Sequence, residues 1–173
     1  MDSTTIISTN IISSSDITIP SDDNFNIWRN VGATKVENGE VSEASLDIRP
    51  RDHNHVSFRY GENGSLQQQL LIVMERIFPS FQFGSSSYFT YLNKEETYDE
   101  VNRTEELIRI EQVGALDHYG LYFNHAEGSR ERKLAKATLI YLMTENLTLP
   151  VSKDQITSTK HKSLKKAFEA NSN

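Results

Sequence analysis

The stretch "HVSFRYGENGSLQQQLLIVMERIFP", His55 to Pro79, decides the fold, because the period of its apolar residues changes halfway along. Val56, Phe58 and Tyr60 alternate with His55, Ser57 and Arg59, the pattern of a strand with one face buried. After the turn residues Asn63 and Gly64, the apolar positions become Leu66, Leu70, Val73, Met74 and Ile77, which share one side of a helix. Ser65 stands three residues before Gln68 as a capping box, and Pro79 closes the run. Leu71, Ile72 and Phe78 widen the apolar face, so this helix is expected to be largely buried against a sheet.

Working outward, Ala44, Leu46 and Ile48 also alternate with polar residues and predict an earlier strand, joined to the first by a hairpin turn over 50–54. That places His53 at the tip and His55 on the polar face. "SSSYFTYL" predicts an aromatic-rich strand, and 107–113 and 119–125 predict two more, joined near Gly114. Between them, "NKEETYDEVNRTEE" is acidic at six of fourteen positions and reads as a solvated loop or short surface helix. A second long helix opens at Ser129, with Leu134, Thr138, Tyr141 and Met143 toward the core. The resulting order, β-β-α-β-β-β-α, implies an α+β fold. It is a single domain with a mostly antiparallel sheet of about five strands and two helices packed on one face.

The ends differ from the middle. Half of residues 1–24 are Ser, Thr or Asn, a composition that reads as a flexible N-terminal arm. Residues 25–150 form the compact unit, and 151–173 form a polar tail. The formal charge of −6 divides into −3 over residues 1–30, −6 over 31–150 and +3 over 151–173, so only the tail is basic. An acidic body repels nucleic acid and anionic lipid, and contact with either must come from a local patch. With 36% hydrophobic and 24% charged residues, the chain has enough apolar side chains for one core. It has no cysteine, which excludes disulfides, thiolate metal sites and cysteine nucleophiles. No apolar run is long enough to span a bilayer and no secretory leader is visible, so the expectation is a soluble protein of the cell interior, in the cytoplasm.

Several groups are candidates for chemistry. Asp52, His53 and His55, with His118 or His125 from a later hairpin, supply the donor types of a zinc or iron site, but no HExxH spacing is present. A solvated turn is the preferred reading. Ser85, Ser86, Ser87 and the pair Asp117–His118 offer hydroxyls, an acid and a base, yet neighbours along a strand point to opposite faces. Glu95–Glu96 and Glu105–Glu106 lie in the polar segment, where solvation keeps carboxylates ordinary. No nucleotide-binding loop or hydrolase elbow occurs. No enzyme, cofactor or metal is therefore expected.

The sharper signal is basic. Arg130, Arg132, Lys133 and Lys136 crowd the first turns of the second long helix, where the macrodipole favours acids. With Ser129 at the cap they are a candidate anion or nucleic-acid site, unless acids such as Glu127 and Glu131 neutralise them. Lys160, Lys162, Lys165 and Lys166 extend the basic set into the tail, which also suits peripheral contact with a membrane surface. Phe25, Ile27 and the sole tryptophan, Trp28, are interface candidates, with anchoring of the arm on the core as the alternative. The leading expectation is a non-enzymatic interaction or assembly protein that binds a protein partner or itself. Small viral structural (matrix-like) or accessory proteins have this character. The alternative is phosphate or RNA binding through the basic helix start and tail, and a histidine-metal hydrolase comes third.

Overall fold

A computed structural model describes residues 17–50, 53–77 and 86–148 and the short stretch 151–152. The bulk of both predicted arms, with the lysines at 160, 162, 165 and 166, lies outside the described residues, as does Asp52. The chain folds as one α+β domain about an antiparallel sheet. Its strands are β1 (Asn26–Val31), β4 (Val56–Tyr60), β5 (Ser86–Asn93), β6 (Ile108–Gln112), β7 (His118–Phe123) and the two-residue β8 (Val151–Ser152). They lie in the order β6-β7-β4-β1-β5-β8. The helices are α1 (Leu66–Ile77), α2 (Lys94–Val101) and α3 (Arg130–Glu145). A separate small hairpin, β2 (Val36–Glu37) and β3 (Glu40–Val41), turns through Asn38 and Gly39, whose φ values of 52° and 80° suit a tight two-residue loop.

The strand-to-helix switch at 55–77 forms as its period dictates. Val56, Phe58 and Tyr60 are buried on one face, and the capping box is closed reciprocally: the Ser65 amide donates to Gln68 Oε1 and the Gln68 amide to Ser65 Oγ. Helix α1 buries a narrower stripe than its composition suggests, with Val73 and Met74 against Trp28 and Phe89, and Leu66 exposed. Alternation along β1 and β5 sends Trp28, Phe89 and Tyr91 toward α1 and Ile27, Val31 and Leu92 the other way. On that second face lie α2 and α3, contributing Val101, Ala135, Leu139 and Met143 to the main core. Two helices thus share one face, but they are α2 and α3, and α1 covers part of the other.

Three local expectations change. Residues Glu43–Leu46 form a 3-10 turn rather than a strand: Leu46 is buried and Ala44 is exposed, so the predicted hairpin partner of β4 does not exist. The neighbours of β4 are β7 and β1 instead. Phe25, Ile27 and Trp28 are buried within this chain, and β1 is an inner strand of the sheet. The buried stripe of α3 is Ala135, Leu139 and Met143 at i, i+4, i+8, which turns Leu134 and Tyr141 outward. The acidic segment forms helix α2, started by the Asn93 side chain accepting from the Glu96 amide and favoured by Glu95 and Glu96 in its first turn.

Candidate functional site

A cleft of about 480 Å³ opens where β1 parts from β4. The β1–β5 ladder runs through all six residues of β1, whereas β1 pairs with β4 only at Ile27–Tyr60 and Trp28–Arg59. Past Trp28 the strands separate, and the Arg29 guanidinium spans the gap by donating to the carbonyls of Ser57, at 2.8 Å, and Ser45, at 3.0 Å. Arg29, Lys35, Arg49 and Arg59 all line the cleft, and among the described residues its lining holds no carboxylate. Asn30, Thr34 and Ser57 add polar groups, and Trp28, Val73 and Ile77 form an apolar wall. Ser45 also lines it; this residue is 1% exposed and its hydroxyl has no hydrogen-bond partner among the described residues.

The chemistry of this lining is anion recognition. Guanidinium groups present paired donors to phosphate or carboxylate oxygens, and lysine supplies a mobile point charge. Arg59 is held in place by Asp117, 3.1 Å away, which leaves its charge partly answered. Beyond Arg59, the face that α1 leaves uncovered continues through His118, Gly120 and Tyr122 of β7, with the Arg109 guanidinium 4.2 Å from the Tyr122 ring centroid.

The sequence-named basic cluster sits elsewhere and is largely answered from within. Ser129 caps its own helix by accepting from the Arg132 amide. Arg132 pairs with Glu127 at 2.7 Å and stacks over Phe123. Lys136 is buried among Glu127, Glu43 and Asp47 at 3.1, 3.5 and 3.7 Å. Arg130 and Lys133 remain exposed. The neutralisation by Glu127 that the sequence offered as an alternative is therefore present, joined by two acids from the 43–47 turn.

The histidines separate. His53 is exposed at the turn, with φ 49°, and His125 approaches Glu105 at 3.9 Å. His55 and His118 come together, their rings 5.4 Å apart, and the His55 ring also meets Tyr122 at 5.3 Å. His55 was expected on the polar face; it does face away from the main core, yet it is only 2% exposed. Among the described residues no group of three or more His, Asp or Glu side chains converges to hold a metal. The hydroxyl burial of Tyr60 and Tyr119 raises both above the ordinary phenol range, for Tyr60 with a second contribution from Glu62.

The cleft was invisible to spacing arguments, because its four cations come from β1, the turn after it, the 43–50 connection and β4. The fold and this lining define a small α+β protein with a cationic cleft at a sheet splay. Compared with protein-family models, curated proteins and solved structures, the chain matches none of them.

Proposed function

We propose that this is a non-enzymatic binding protein whose cleft between β1 and β4 takes a phosphate-bearing ligand. The observation that carries the reading is the gathering of Arg29, Lys35, Arg49 and Arg59 around one concave surface, with the unpartnered Ser45 hydroxyl in its wall. A volume of about 480 Å³ suits a small phosphorylated molecule, within the roughly 300–1,000 Å³ of ordinary ligand pockets. The reading keeps the anion chemistry expected from the sequence and moves it from the start of α3, where Arg132 and Lys136 already have acidic partners.

Trp28 in the cleft wall is the chain's only tryptophan and serves as the reporter. Titration with pyrophosphate is expected to give a saturable change in its fluorescence that weakens as salt rises. Lys35→Gln combined with Arg49→Gln should weaken binding by about tenfold or more, since charge-assisted hydrogen bonds are each worth about 1.5–3 kcal/mol. Arg130→Glu with Lys133→Glu should leave it unchanged. A short oligouridylate run in parallel separates a small-molecule site from one for an RNA backbone. The reading fails if neither probe gives saturable binding by fluorescence or calorimetry, or if only the α3 double variant loses it.

Self-association remains a second proposal, supported by Leu134, 52% exposed on the outer side of α3. The mass of the full chain by light scattering tests it. A strict monomer at high concentration would end it.

A further inference from the structure

A second concavity, of about 530 Å³, runs beside the end of β5, between the start of α1, the first turns of α2 and the last turns of α3. Two of the most exposed large apolar side chains of the described residues, Leu66 at 46% and Tyr141 at 63%, stand on its walls. Tyr91 and Leu142 add further apolar surface. Along the α2 side run Glu96 and Glu100. Glu100 pairs with Arg103, whereas Glu96 has no cationic partner among the described residues. A groove that exposes large apolar groups beside an unanswered carboxylate is complementary to a segment that is both apolar and basic.

The chain carries one such segment, "KHKSLKKAF", Lys160 to Phe168. Leu164, Ala167 and Phe168 have the spacing of one helical side, and Lys160, Lys162, Lys165 and Lys166 surround them. We infer that Lys160–Phe168 docks into this groove of its own chain, with Leu164 and Phe168 against Leu66 and Tyr141 and the lysines beside Glu96 and Glu100. Strand β8 runs antiparallel to β5, so the chain leaves Ser152, the partner of Ser86, heading away from the groove and has to turn back. Tyr91 on the groove wall lies five residues along β5 from Ser86, about 17 Å at the usual rise. The twelve residues from Ser152 to Leu164 reach at most about 40 Å when extended, which leaves length for the turn and the return. The docking does not depend on what the cleft between β1 and β4 binds.

The absence of cysteine makes the test clean. A nitroxide attached at Ser163→Cys in the full chain should erase amide signals near Leu66, Glu96 and Tyr141 and spare those near Gly114, and raised salt should restore them. Glu96→Lys with Glu100→Lys should remove the effect, and adding Lys165→Glu with Lys166→Glu should bring it back. Unchanged signals around the groove in the full chain would overturn the inference. So would signal loss seen only when labelled chain is mixed with isotope-enriched unlabelled chain, since the occupant would then be a second copy. Persistence of the effect after the glutamate reversal alone would also count against it.

Discussion

The imidazole of His55 occupies the space above Gly120: a Cβ at position 120 would stand 2.9 Å from His55 Cγ and 2.9 Å from Val113 Cγ2. The residue before β4 thus folds back over β7, with Tyr122 beside it, and glycine is the residue that lets the ring lie so close to the sheet.

Gly120→Ala should therefore destabilise the protein by about 1–3 kcal/mol, the ordinary cost of overpacking a filled site. Urea unfolding measures it. In a His55→Ala background the same change should cost less, because one of the two obstructing side chains is gone, and strictly additive losses would contradict the packing described.

Trp28 gives the second prediction. Its Nε1 donates to Gln69 Oε1 at 3.0 Å inside the layer between α1 and the sheet, and Gln69 Nε2 in turn donates to the Gly64 carbonyl. Gln69→Leu fits an apolar setting but leaves the indole N–H buried without a partner, a loss of about 1–3 kcal/mol. Thermal unfolding followed by Trp28 emission should show a lowered midpoint together with a shifted native spectrum.

How far the sequence reveals this arrangement varies from residue to residue. The change of period at 55–77 and the Ser65–Gln68 box are local signals, and both elements form where they point. Strand β1 is hidden because it is an inner strand buried on both faces: Ile27 and Trp28 are adjacent and both buried, so no alternation announces it. Residues 43–48 mislead in the opposite direction, with three apolar positions in alternation and only Leu46 fully buried. Helix α3 carries two apolar stripes, and which one faces inward is set by the sheet it packs on rather than by its own spacing. The cleft cations are distant in sequence and meet only because β1 and β4 diverge, which no local pattern encodes.

Tyr60 contributes to the alkaline limit, together with Tyr119. The Tyr60 hydroxyl is buried without a hydrogen-bond partner among the described residues, and burial, reinforced by Glu62, raises it above the ordinary phenol value of 10.0. The native state then holds its proton at a pH where the unfolded chain has released it, so the contribution is intact below about pH 10 and is lost as pH rises beyond that. Stability should fall on that limb by up to about 1.4 kcal/mol per pH unit for each such group. Tyr60→Phe should flatten the decline while leaving the share of Tyr119, and at neutral pH it should be neutral or stabilising, since it removes an unpaired buried hydroxyl. Equilibrium unfolding between about pH 8 and pH 11 tests both parts.

The outer edge of the sheet is guarded by one amide. Asn102, at the end of α2, accepts from the Leu107 and Ile108 amides at 2.8 and 3.0 Å and donates to the Ile108 carbonyl at 3.0 Å, occupying backbone groups at the start of edge strand β6. Asn102→Ala removes all three bonds and uncovers the strand's free donors and acceptors, which invite pairing with another chain. A stability loss of about 1–3 kcal/mol is expected, with aggregation that grows with protein concentration. Asn102→Asp keeps the two acceptor contacts but sets a carboxylate against the Ile108 carbonyl and the negative end of α2. That variant should be weaker at neutral pH and partly recover below the carboxylate range, where a protonated oxygen can donate in place of the lost amide. Scattering and urea unfolding at both pH values distinguish the two variants, and equal behaviour would show that the Ile108 contact contributes nothing.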